Sequence, residues 1–108
     1  LANSSSTIDA EVAQIPLLEQ FTEHTITDRD TLATELAAVA DRRWAVNIEE
    51  RYNGVSGVAA PVLAASGRAH AAIGLQGPSI RLTPTRLDEL ASLVQDAATE
   101  VASLVIRY

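Results

Sequence analysis

The sequence predicts an α+β domain, an antiparallel sheet of about three strands with helices packed on one of its faces. Two changes of hydrophobic period and one helix boundary carry that prediction. Apolar residues recur at helical spacing through Leu32, Leu36 and Val39, alternate through Trp44, Val46 and Ile48, and return to helical spacing from Leu87 to Val105. The return begins at Thr83-Pro84, a hydroxyl suited to the N-cap followed by a proline suited to the first helical position. Helix, helix, strand, strand, strand, helix is an order that segregates helices from an antiparallel sheet.

Residues 3–7, NSSST, read as a loop or cap, and Ile8, Val12 and Ile15 suit a short helix that ends before Pro16. Leu17, Leu18 and Phe21 provide an apolar anchor, and Thr22–Thr27 reads as a polar connection. From Thr27 the run Thr-Asp-Arg-Asp supplies a capping hydroxyl and acidic residues for the first turn of a helix of about 14 residues. Arg42-Arg43 suits its negatively polarised end. The alternation from Trp44 then predicts a half-buried strand, and Arg51–Gly54 predicts a turn. A second strand is expected over roughly 57–65 and a third over 69–76, joined as a hairpin through Ser66-Gly67. Pro61 cannot donate to a sheet ladder, so the second strand should be an edge or be interrupted there. Gly77-Pro78 should end the sheet, and the last helix should run about 23 residues from Thr83-Pro84.

The chain has 108 residues, enough for one domain and too few for a catalytic domain beside a separate DNA-reading one. Its 8 cations are all arginine, against 14 carboxylates, for a net charge of −6. That balance makes the chain by itself a poor ligand for nucleic acid, whose phosphates demand clustered positive charge. Without cysteine there is no disulfide, thiolate nucleophile or zinc–thiolate site. No apolar run is long enough to span a bilayer and no signal-peptide pattern is present, so the expectation is a soluble, cytoplasmic chain with no membrane partner. It begins with Leu and contains no Met, which reads as a piece of a longer protein.

No catalytic constellation can be assembled. His24 and His70 stand apart, without the spaced partners that a metal or a nucleophile requires, and read as a loop residue and a sheet-face residue. Glu49-Glu50 is an adjacent carboxylate pair, and on a strand its two members would point to opposite faces, as at a solvated strand end. The glycines Gly54, Gly57, Gly74 and Gly77 are dispersed among strand residues and do not form a phosphate loop at a helix start. No metal, no cofactor and no enzymatic activity are therefore expected.

Alternation divides the third strand into two unlike faces. Ala71, Ile73 and Leu75 should pack on helix, while His70, Ala72, Gly74 and Gln76 face the other way and are small or polar. That second face suits an interface, or a pocket lined by Asn47, Gly57, Gly74 and Gln76 in which a ligand approaches the backbone.

Four segments together resemble the effector-binding domain of IclR-type bacterial transcriptional regulators: TITDRDTLATELAAV, WAVNIEERYNGVSGVAAPV, AAIGLQGP and RLTPTRLDELASLVQDAATEV. The resemblance runs from Thr25 to Leu104, and more loosely through residues 1–24. It implies a GAF-like, profilin-like fold and a non-enzymatic domain that binds a small organic acid and modulates DNA binding by a homodimer or homotetramer. It also implies that residues 1–108 are the C-terminal portion of the effector domain. The winged helix-turn-helix that holds DNA, and the first part of the effector domain, would lie outside this chain.

The pocket positions implied by the resemblance fall on Asn47, Val55, Gly57, Gly74 and Gln76. Here Asn47 stands where the family can carry a carboxylate, Gly57 where it can carry Cys, and Gly74 and Gln76 where it can carry Ser. These departures argue against a small keto acid and for a larger, aromatic acid met by the two amides. The alternative reading is an oligomerisation or structural module that binds no ligand.

Overall fold

Each change of period coincides with a change of element in the computed structural model, which describes residues 8–105. The elements are α1 (Ile8–Ala13), α2 (Arg29–Arg42), β1 (Ala45–Ile48), β2 (Val55–Leu63), β3 (Ala69–Pro78) and α3 (Pro84–Val105). The polar run at residues 3–7 lies outside the described residues.

Capping chemistry sets the helix limits. At α2 the N-cap is Asp28, one residue later than the Thr27 the sequence favoured; its Oδ2 accepts from Thr31 N at 2.9 Å and from Thr31 Oγ1 at 2.8 Å. Those bonds, the backbone one foremost, hold the Asp28 carboxyl below its ordinary range. A carboxylate is the stronger acceptor and brings negative charge to the positively polarised helix start, which favours Asp28 over the Thr27 hydroxyl. The helix closes on Arg43, left-handed at φ 67°, whose N–H donates to Val39 O. At α3 the expected cap is present, with Arg86 N donating to Thr83 Oγ1 and Leu87 N to Thr83 O.

The three strands form one antiparallel sheet in the order β1-β2-β3. Asn47 pairs with Gly57 and Ala45 with Ala59 on one side of β2; Gly57 pairs with Gln76 and Ala59 with Gly74 on the other. β2 is thus the central strand, and Pro61 sits within it uninterrupted, opposite Ala72. Register explains how that is tolerated. Val55 O accepts from Glu49 N, so by alternation the odd residues of β2 turn their backbone groups toward β1. The pairing with β1 begins at Ala45–Ala59, so β1 does not reach Pro61. Its missing N–H faces a side where no ladder exists.

One face of this sheet is covered by α3. Val58, Ala60 and Val62 of β2 meet Leu87, Ala91, Val94 and Ala98 of α3, and Trp44, Val46, Ile73 and Leu82 pack around them. Alanines on both elements allow the close approach, and Leu87, fully buried, is the largest side chain in the seam. The expected plurality of helices on that face reduces to this one, because α1 and α2 pack on each other and make little contact with the sheet. Gln95 Nε2 ties α3 to the α2–β1 junction through Arg42 O at 3.1 Å.

The outer edge of β3 carries no strand among the described residues. Gln95 marks the β1 flank of α3, and at about 100° per residue Leu93 and Leu104 fall on the opposite flank, toward β3. They are 62% and 65% exposed, and Leu75 of β3 is 46% exposed. The apolar arc of α3 is therefore wider than the sheet beneath it, and it overhangs on the β3 side.

Candidate functional site

The face that α3 leaves bare is built from every second residue of each strand. In β1 these are Ala45 and Asn47, in β2 Val55, Gly57, Ala59 and Pro61, and in β3 Ala72, Gly74 and Gln76. Because the side chains at its centre are hydrogen or methyl, the surface is concave. A hollow of about 420 Å³ lies over it, with Ala45, Asn47, Gly57, Ala59, Gly74 and Gln76 among its walls. Four of the five positions named from the sequence are thus brought to one hollow. Val55 lies on the same face, two residues beyond Gly57 and opposite Pro78, outside those walls.

A second hollow of about 390 Å³ adjoins the first across Ala45 and Ala59. It is walled by Val39, Trp44, Pro61 and Ala72, with His70 at its exposed end. Nothing in the sequence singled out this space. Its signal was the alanines at 69, 71 and 72, which alternation describes as a bland strand until a buried helix residue, Val39, stands beside them.

Asn47 is held by the turn that follows it. Its Oδ1 accepts from Glu50 N at 2.9 Å, which leaves the amide NH₂ as the group available to a ligand. The turn is itself anchored from outside the sheet: Thr22 Oγ1 donates to Glu49 O and Thr25 Oγ1 to Glu50 O. The guanidinium of Arg51 lies 3.8 Å from the centroid of the Phe21 ring. The segment read as a mere connection at Thr22–Thr27 therefore positions the site.

Glu49-Glu50 differs from the solvated strand end expected of it. Glu49 is left-handed at φ 56° and its carboxylate accepts from Gly54 N, so both residues belong to the turn, and both are half-buried. Burial, and next the charge of Glu35, push the Glu50 carboxyl above its ordinary range. His24 sits in the loop, 3.5 Å from a carboxylate oxygen of Glu23 and 3.9 Å from one of Glu49. Among the described residues no three His, Cys, Asp or Glu side chains cluster as metal ligands.

The two glycines of the hollow have different duties. A Cβ on Gly57 would lie 2.6 Å from Leu75 O, a backbone atom that cannot swing aside, so the bare Cα is required by strand approach. A Cβ on Gly74 would meet Val58 O at 3.1 Å and the Ala59 methyl at 3.3 Å, tight but not prohibitive.

Comparison with known proteins bears on this face. Residues 5–103 match the family described as bacterial transcriptional regulator IclR, C-terminal. This chain belongs to the IclR family. The transcriptional regulator BhcR of Paracoccus denitrificans is 36% identical over 85 residues, 79% of this chain and 30% of that protein. The p-hydroxybenzoate hydroxylase transcriptional activator of Acinetobacter baylyi is 34% identical over 106 residues, 93% of this chain and 39% of the activator. The IclR-type domain described here therefore spans about a third of the length of such curated relatives. Among solved structures, a double mutant of the PobR inducer-binding domain from Acinetobacter, in complex with 3-hydroxybenzoic acid, superposes with a TM-score of 0.78 at 29% identity. The match covers 96% of this chain and 66% of that one. Thermotoga maritima IclR superposes with a TM-score of 0.80 at 26% identity, over 89% of this chain and 39% of the other. The α+β fold expected from the sequence is that of these domains.

Two outcomes follow from the geometry. Gly57→Ala should lower stability by about 1–3 kcal/mol, the range for forced overpacking, and Gly74→Ala by less, as read by urea denaturation of each; equal losses would contradict the backbone clash at Gly57. Folding raises the Glu50 pKa, so the folded form keeps its proton over an interval in which the unfolded chain has lost it. Its contribution to stability is therefore present at acid pH and lost as pH rises through that interval. Glu50→Gln should raise the melting temperature at pH 7 and leave it nearly unchanged at pH 4.

Proposed function

We propose that this chain is the ligand-sensing part of a bacterial transcription factor, and that its bare sheet face binds a small organic acid of the aromatic class. One observation carries the reading: Asn47, Gly57, Gly74 and Gln76, distant in sequence, converge on a single hollow of a size usual for small-molecule sites. The likeness to an inducer-binding domain solved with 3-hydroxybenzoic acid supports the ligand class. Asn47 and Gln76 supply amide donors, and the glycines admit a ring close to the backbone. The site performs no chemistry. Binding acts through unequal affinity for two arrangements of a cytoplasmic homodimer or homotetramer, whose DNA contacts are made by a portion of the regulator other than this acidic chain.

The test is thermal melting of the chain with 3-hydroxybenzoate, benzoate and glyoxylate. A ligand that binds only the native state adds about 2.7 kcal/mol at one hundred times its Kd. The aromatic acids should raise the melting temperature and glyoxylate should not. Asn47→Asp keeps an acceptor for Glu50 N while placing negative charge in the hollow, so it should leave the ligand-free melt unchanged and weaken the aromatic acids at least tenfold. A folded chain that responds to none of them, or an Asn47→Asp chain that responds as before, would refute the reading.

A second reading, an association surface, is favoured by the open β3 edge and the overhanging Leu93 and Leu104. Unpaired strand edges are rarely left bare in native proteins. Sedimentation velocity should show self-association that Leu93→Arg abolishes without altering the ligand response; a monomer at all concentrations would exclude it.

A further inference from the structure

The two adjoining hollows differ in chemistry, and the difference specifies a shape of ligand. Along β3 the residues of the bare face, Gln76, Gly74 and Ala72, follow one another at about 7 Å, so the distance from Gln76 to Ala72 is about 14 Å. At the Gln76 end the walls carry two carboxamides, and the Asn47 amide is fixed by its bond to Glu50 N. At the Ala72 end they carry methyls, the ring of Pro61 and the buried Val39, with Trp44 at the border of the space. Among the described residues no arginine lines either space. A benzoate-sized molecule is satisfied by the first space alone and leaves the second, equally large, unfilled.

Resting on the sensing function proposed above, we propose that the natural effector is an elongated amphiphilic acid. Its carboxylate meets the amides of Asn47 and Gln76, and an apolar tail longer than one aromatic ring runs over Ala45 and Ala59 into the space between Val39, Trp44 and Ala72. The tail compartment sets selectivity by length, since apolar area is removed from water there in proportion to the chain inserted. A polar or charged group at the far end of the tail is held outside, near the exposed His70.

Calorimetric titration of the 108-residue chain with benzoate, 4-ethylbenzoate, 4-butylbenzoate and 4-hexylbenzoate tests this. Affinity should rise at least tenfold from benzoate to 4-butylbenzoate. Ala72→Trp, at an exposed position on the bare face, should remove that gain and leave benzoate unchanged. Ala72→Leu should remove part of it, which keeps the test open if the larger residue disturbs β3. Independently of any variant, nuclear Overhauser contacts should connect the terminal methyl of 4-butylbenzoate to the methyls of Ala72 and Val39. Benzoate binding with no gain along the series, a gain that survives Ala72→Leu and Ala72→Trp alike, or tail contacts elsewhere would each overturn the two-compartment assignment and leave the sensing function standing. No binding of any member by the folded chain would overturn both.

Discussion

The seam between α3 and β2 is the constraint on which the remainder of this molecule depends. Leu87, Ala91, Val94 and Ala98 present one stripe of α3, and Val58, Ala60 and Val62 present one face of β2. Burial of these aliphatic side chains supplies the main hydrophobic driving force in a chain with only 4% aromatic residues. Because alternation sends the even residues of β2 to the helix, the odd ones necessarily point away from it. The bare face is thus the other half of the pattern that makes the core, and a shift of register by one residue would exchange the two.

What gives that face its hollow is the smallness of its residues and the fixing of its rim. Glycine and alanine across three strands leave depth where larger side chains would fill it. At Gly57 the absent Cβ serves the sheet as much as the hollow, since Leu75 O occupies the space. Asn47 is positioned by the turn beyond β1, and that turn is held by Thr22, Thr25 and Phe21 from a segment that contributes nothing to the sheet. The loop before α2 therefore fixes Asn47 at the rim of the hollow indirectly, through the backbone carbonyls of Glu49 and Glu50. Glu50 carries the cost of that arrangement as a half-buried carboxyl facing the charge of Glu35.

Legibility in the sequence followed how local the determining physics was. The last helix was readable in full, because Thr83, Pro84 and a sustained 3.6-residue period are all contained within it. The hairpin of β2 and β3 was readable from Ser66-Gly67, although both strands extend further toward Val55 and Pro78 than turn residues alone indicated. Pro61 misled in part. It does lie where one flank is unpaired, yet on the central strand, because β1 is too short to reach it. Glu49-Glu50 was misread as a strand end because the left-handed residue that starts the turn is not a glycine.

By itself the sequence determined the element types, the two unlike sheet faces and the family, because periodicity, capping and motif spacing are properties of neighbouring residues. It also placed Asn47, Gly57, Gly74 and Gln76 on one face, since alternation is arithmetic. Only the tertiary structure decided that these four share one hollow, that Val55 stands outside it, and that a second, methyl-lined space continues from it past Val39 and Trp44. Those outcomes depend on strand register, on which helix covers the sheet and on how near α2 comes to the other face. Each is set by contacts between residues far apart in the chain, for which no local pattern exists.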